Sequence, residues 1–437
     1  MLWETDLIRS HLIGTCSLVL VLFVGGCARQ RNAVDSKIIY LHVSDWGGAS
    51  ADPRYNRIQD EITAEWNRRH PNIRIVPEHI PGSSAYVSKV LTEFVAGIPP
   101  DVMQLDDASA ASFIDNNTLV DLTPFIQKEH FNLLKYYPNV LDIARRGRRL
   151  YALPSDFTPM MMYYNKKFFR EAGLQYPRDG WTWNDFLRDA QKLTVWSKGA
   201  YQPTRYAFLA ENWMPGWIVW IWQNGGDVLS PNGQTASGYM DSPATIQAVR
   251  FFADLEKNHL APNLSASQAQ GEDPFASGLV AMTISGHWDL VPLRASETIS
   301  MNDVGVVGLP RNKRRVTVIY ESGYAITKGC KHPHAAWEYV KFMCGDYVQR
   351  MKAKLGIGIS AIKSVAESHR NSNPLEPEFL ENIKYGVAPW GTRVENYDVI
   401  EDIGAEMMDE VLIGHVPPEQ ALKTATSRAN AELESNE

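Results

Sequence analysis

Thirteen tryptophans stand in this chain of 437 residues, and several gather: Trp213, Trp217, Trp220 and Trp222, then Trp288 and Trp390. An indole plane covers the C–H face of a sugar ring, while carboxylates and amides accept hydrogen bonds from the hydroxyls at its edge. Each buried polar partner of this kind also sharpens selectivity, because an analogue without the hydroxyl leaves it unpaired. The aromatic candidates for such contact are Trp46, Trp213 in the loop-like Asn212-Trp213-Met214-Pro215-Gly216, and Trp288, which follows a glycine that admits close approach. Trp390, with Arg393, adds a pair from a late loop. Asp106, Asp107 and Asp156 are the acceptors, each with helix capping as the alternative role. Packing is the competing account of the indoles. Trp217, Trp220 and Trp222 fit a core helix with Ile221, Trp181 and Trp183 fit a turn and its packing, and two of the three residues Met160, Met161 and Met162 fill gaps in a core.

Other chemistries find less support. A secreted glycoside hydrolase needs two carboxyls about 5 to 10 Å apart, which Asp106, Asp156 and Glu321 are able to supply. No Gly-x-Ser-x-Gly elbow, His-Glu-x-x-His pair or EF-hand loop is present. The run Gly356 to Ser364 lacks the glycine before Lys363 that a phosphate loop needs. Iron calls for clustered tyrosines, but Tyr163 and Tyr164 are adjacent and point to opposite faces of a strand. A phosphorylated solute calls for paired arginines or a helix N-terminus, and a polyamine remains a further possible ligand. The net charge of −7 argues against nucleic acid as a partner.

The elements that must position these residues are legible as an α/β pattern. Lys37 to Val43 reads as a strand ending before Trp46, Ile58 to His70 as a helix, Asn72 to Pro77 as a strand, and Ala85 to Ala96 as a helix with Val87, Val90, Leu91 and Phe94 inward. A Gly97-Ile98-Pro99-Pro100 turn then feeds a strand ending at Asp106. This order predicts an open, mostly parallel sheet with ligands beyond the carboxyl ends of its strands. Ala152 to Tyr164 is an apolar, aromatic run that suits a strand buried on both faces or a segment crossing between two lobes. A short helix stopped by Gly173 follows, and Thr182 with Asp185 predicts a capping box for a helix over 183–193.

At the amino end, Leu12 to Val24 has the length of a signal-peptide core, with a membrane anchor or a buried helix as the alternative. Val24-Gly25-Gly26-Cys27 resembles a bacterial lipobox, which implies a leader over 1–26, lipid on Cys27 and a polar tether over 27–36. Glu4 and Asp6 depart from the positive start usual in such leaders, leaving Arg9 and the amino terminus. Only Cys330 and Cys344 then remain in the folded body, either paired or as buried thiols.

In series, these features resemble the extracellular solute-binding proteins of ABC importers, in particular the sugar-binding branch often called family 1. The resemblance rests on Gly97-x-Pro-Pro-Asp-Val102, Trp181 to Phe186, Gln223-Asn224-Gly225-Gly226-Asp227, Phe275 to Met282 with Gly286-His287-Trp288, Gly323 to Thr327, Leu355 to Gly358 and Pro417 to Leu422. It covers about 37 to 433. It implies a two-lobed periplasmic-binding-protein-like fold, each lobe an open mixed or parallel sheet flanked by helices, with the ligand cleft at the hinge. Lobe one would hold 37–155 and 322–362, and lobe two 156–321 and 363–437. Glu321 sits where the family places a cleft residue. Also implied are a monomer that closes on a sugar or oligosaccharide, docking on membrane permease subunits, and neither cofactor nor catalysis.

Overall fold

The computed structural model describes residues 38–46, 53–80, 83–263, 273–389, 394 and 397–434. The amino-terminal half opens as the sequence pattern requires: β1 (Ile39–Asp45), α1 (Pro53–Arg69), β2 (Ile73–His79), α2 (Ser83–Val95) and β3 (Val102–Asp106). Helix α1 starts at Pro53, ahead of the expected Ile58, because a proline fits the first helical turn, where its missing N–H is no loss. On α2 the buried stripe is Tyr86 and Val90, whereas Leu91, expected inward, is 41% exposed. The Tyr86 hydroxyl sets this rotation by donating to the carbonyls of Ser44, at 3.1 Å, and Gln104, at 2.7 Å.

After β3 the chain enters α3 (Asp107–Asp115) and then β4 (Ala152–Pro159), β5 (Met161–Asn165) and α4 (Lys166–Glu171). The apolar run at 152–164 is thus two buried strands rather than one. Its first part is a strand of one sheet, its last part a strand of another, and Met160 is the single residue between them. All three methionines are fully buried. Asn165 caps α4 and Gly173, at φ +65°, follows it. Thr182 and Asp185 form the predicted capping box of α5 (Trp183–Leu193), which buries Phe186, Ala190 and Leu193.

Among the other elements are β6 (Tyr206–Phe208), α6 (Met214–Gln223), α7 (Pro243–Lys257), β7 (Val280–Ser285), β8 (Val304–Val307), β9 (Thr317–Ile326), α8 (Pro333–Met343), β10 (Ile359–Ser360), α9 (Glu376–Asn382), β11 (Gly386–Val387), α10 (Tyr397–Leu412) and α11 (Pro418–Glu434). The larger sheet runs β10-β4-β9-β3-β1-β2, with β11 beside the start of β9. Strands β1, β2 and β3 are parallel, while β9 runs antiparallel to both β3 and β4. The smaller sheet is β8-β5-β7-β6, also mixed. The open mixed sheets flanked by helices are those expected.

Every residue of α6 is buried, so it is a core helix rather than an amphipathic one. Trp220 packs on Trp183, Phe186, Phe208 and Phe251 at ring-centroid separations of 5.3 to 5.8 Å. Trp181 donates its indole N–H to the Gly308 carbonyl, Trp183 to Gln223 Oε1 and Trp222 to Asp227 Oδ1. Packing is therefore the role of this group. Cys330 and Cys344 are both free thiols. No described helix is long and apolar enough to cross a membrane. Cys27, with the leader and tether around it, lies outside the described residues.

Candidate functional site: a ligand cleft

Four strands of the larger sheet bring polar side chains into one row. Ser322 of β9 stands opposite Asp106 of β3 on one side and opposite Asp156 of β4 on the other, and Ser360 of β10 faces Asp156 in turn. The β9–β4 register shifts between Ser322 and Gly323, a bulge of the kind that re-aims side chains beside a site. Glycine is needed there, since a Cβ on Gly323 would come to 2.7 Å from the Leu153 carbonyl oxygen. Asp45 ends β1 and Asp106 ends β3, so the row lies at the carboxyl ends of parallel strands.

A cavity of about 860 Å³ opens over this row, within the usual range for ligand pockets. Seven of the eight residues the sequence singled out for ligand contact line it: Trp46, Asp106, Asp107, Asp156, Trp213, Trp288 and Glu321. The eighth, Trp390, and its companion Arg393 lie outside the described residues. Trp213 stacks on Tyr320 at 5.9 Å and 26°, and Trp288 meets both rings edge-on at 6.3 and 6.2 Å. The Trp288 ring lies against Gly286, where a Cβ would come within 2.4 Å of it. That glycine does allow the close approach anticipated from sequence. Trp46 leans edge-on against Tyr86 at 5.3 Å.

The carboxyls divide by environment. Asp106 caps α3, accepting from the Ser109 N–H at 2.8 Å and from its hydroxyl, so capping and cavity lining coexist in one side chain. Asp156 accepts from Ser155 Oγ at 2.8 Å and lies 3.7 Å from Lys352 Nζ. Asp107 and Glu321 are different. Their exposures are 2% and 7%, and Oδ2 of the first and Oε2 of the second have no hydrogen-bond partner among the described residues. Burial holds both well above the ordinary carboxyl range; the neighbouring Asp106 adds to this for Asp107, and Asp156 for Glu321. An orphaned oxygen in such a place carries a desolvation cost that a ligand's donor removes.

Sequence reasoning missed several lining residues. Tyr320 reads as one more aromatic in a buried strand, and nothing in its spacing marks it. Tyr55, Asn56 and Gln59 sit on the first turns of α1, partly ahead of the expected helix start. Glu401 comes from α10, far away in the chain. The adjacent tyrosines do diverge: the Tyr163 hydroxyl donates to the Gly286 carbonyl, whereas Tyr164 packs on Phe169 and Tyr176. No group of three or more His, Cys, Asp or Glu side chains able to hold a metal ion occurs among the described residues.

Residues 49–350 match the family model of the bacterial extracellular solute-binding proteins. The chain belongs to that family. Among solved structures, this solute-binding protein is similar to an ABC substrate-binding protein of Listeria monocytogenes in complex with cycloalternan. The TM-score is 0.81 and the identity 22%, over 91% of this chain and 100% of that one. It is likewise similar to maltose-bound MalE3 of T. maritima, with TM-score 0.74 and 21% identity over 90% and 99% of the two chains. Among curated proteins it is 22% identical to the sn-glycerol-3-phosphate-binding periplasmic protein of Salmonella paratyphi A, over 85% of this chain and 88% of that one. At this level of identity the structural likeness establishes the fold, that of the two-lobed binding proteins.

Proposed function

We propose that this solute-binding protein captures a sugar or oligosaccharide by hinge closure and hands it to the permease of an ABC importer. The observation that carries the reading is the pairing, in one cavity, of the Trp213, Tyr320 and Trp288 rings with the buried, unpartnered oxygens of Asp107 and Glu321. The rings suit the apolar face of a sugar and the carboxyls suit its hydroxyls. The cycloalternan and maltose complexes of similar proteins support it further. In this reading Trp46, Asp106, Asp107, Asp156, Trp213, Trp288 and Glu321 contact the ligand, joined by Trp390.

Lobe one comprises 37–155 with 322–362 and lobe two 156–321 with 363–437, in the same proposal. Strand pairing supports moving the crossings a few residues, to Met160 and to the stretch 308–316 between β8 and β9. The ligand stabilises the closed form because only that form touches it from both lobes. Lipid on Cys27 anchors a monomeric receptor to the outer face of the membrane. The protein is a receptor and turns nothing over.

The relatives that bind sn-glycerol-3-phosphate raise a phosphorylated ligand as the second reading. Among the described lining residues there is no arginine, and Lys352 already faces Asp156, which favours the uncharged sugar. A thermal-shift and tryptophan-fluorescence screen against sugars, polyols, polyamines and phosphorylated solutes separates these. A ligand at a hundred times its dissociation constant stabilises by about 2.7 kcal/mol. A shift with one sugar class, recovered unmodified, supports the proposal. Turnover makes the protein an enzyme, and a shift with sn-glycerol-3-phosphate alone replaces the ligand.

A further inference from the structure

The described residues lining the cleft include seven carboxyl side chains, against one lysine and one histidine. Both of these side chains are already engaged: His79 Nδ1 lies 2.7 Å from Asp45 and Lys352 Nζ 3.7 Å from Asp156. The other acids of the wall include Asp60 at the exposed rim, Asp106, and the buried Asp107 and Glu321. An acidic wall alone would not indicate a ligand. Here it contains two carboxyls more than nine-tenths buried, each with an oxygen that no donor among the described residues satisfies. Asp107 opens α3 directly after the end of β3, and Glu321 lies on the neighbouring strand β9, so the two side chains serve one part of the cavity.

A neutral hydroxyl satisfies one such oxygen but leaves the surplus of carboxyls over basic side chains unanswered. A cation answers both at once, and charge-assisted hydrogen bonds are about twice as strong as neutral ones. From this geometry we infer that the cleft takes a saccharide carrying a protonated amine, with the ammonium seated against Asp107 and Glu321 and the ring against Trp213 and Trp288. The inference rests on the sugar-binding reading and narrows its substrate class.

The proton balance is explicit. In the empty cleft burial strengthens the hold of both carboxyls on a proton. An arriving ammonium keeps its own proton, a carboxylic acid that it meets gives one up to solvent, and an ammonium–carboxylate pair remains. At any pH where these carboxyls are protonated in the empty cleft, binding an amino sugar thus releases protons, while binding its neutral counterpart does not.

The test is calorimetric titration of the full chain at pH 7, in two buffers of different ionisation enthalpy, with matched probes. These are glucosamine, glucose and N-acetylglucosamine, each as the free sugar and as its β-1,4-linked disaccharide, with spermidine as a sugar-free cation. The expected result is at least tenfold tighter binding of the amine than of its neutral and acetylated counterparts, with any proton release confined to the amine. Asp107→Asn and Glu321→Gln, each checked for an intact thermal transition, are expected to erase that preference. Equal or tighter binding of the neutral or acetylated sugar overturns the inference and leaves the sugar-binding reading standing. Spermidine binding without any saccharide, or no binding of any probe, overturns both.

Discussion

Asp107 and Glu321 occupy positions that a fold built for stability alone would fill with apolar residues. Unfolded, such carboxyls ionise near pH 4; folded, burial keeps them protonated to higher pH. The folded state therefore binds more protons above that point. The contribution to stability is fully present below about pH 4 and declines as pH rises through the folded values. Thermal melts of the free protein between about pH 4 and 8 should show this fall, and Asp107→Asn or Glu321→Gln should flatten it and raise the neutral-pH melting temperature. A steeper fall in the variants would contradict it. Asp107 was legible in sequence because an acid after a buried strand is chemically conspicuous, whereas Glu321, inside β9, was reached only through the family resemblance. Tyr320 was not, since its partner Trp213 lies more than a hundred residues away and only folding joins them.

At the scale of elements, the same residue type performs two jobs that sequence spacing only partly separates. Trp220 is fully buried on α6, whereas Trp213, just before that helix, is 37% exposed and lines the cleft. Trp220→Ala should cost about 3–5 kcal/mol of stability, as aromatic core deletions do, in chemical denaturation, with ligand affinity of the folded protein little changed. Trp213→Ala should do the reverse, leaving denaturation nearly unmoved and weakening ligand at least tenfold. The capping box of α5 makes a third case: Thr182→Ala removes a side-chain acceptor from Asp185 N–H and should lower stability by about 1 kcal/mol without touching the ligand. This box was readable because its signal is local. The turn at Met160 was readable only as an ambiguity, since strand and crossing share one apolar pattern, and the bulge at Ser322–Gly323 left no trace in composition or period. On α2, Leu91 fitted the helical stripe, yet the hydroxyl of Tyr86 reaching two carbonyls decided which face turns inward.

At the scale of the molecule, two mixed sheets share a chain that leaves the larger one at Met160 and returns to it at Thr317. The backbone of His287, just beyond β7 of the smaller sheet, donates to Thr158 Oγ1 on β4 of the larger, and its ring meets Glu376 of α9 at 2.8 Å. The cleft stands next to this fastening, with Trp288 as the following residue. The α/β order over β1 to β3 was legible from alternating periodicity, because each element there follows its neighbour directly. The insertion of β9 between β3 and β4 was not, because pairing partners about 160 to 220 residues apart carry no local signal. The central claim is that this cavity holds a saccharide and does not transform it. Equilibrium dialysis of the purified protein against a pooled saccharide mixture, with the retained fraction identified by mass spectrometry, tests it most directly. The account predicts one saccharide class retained at one molecule per chain, with unchanged mass, and its loss on Trp213→Ala. Retention of none, or recovery of cleaved products, would contradict it.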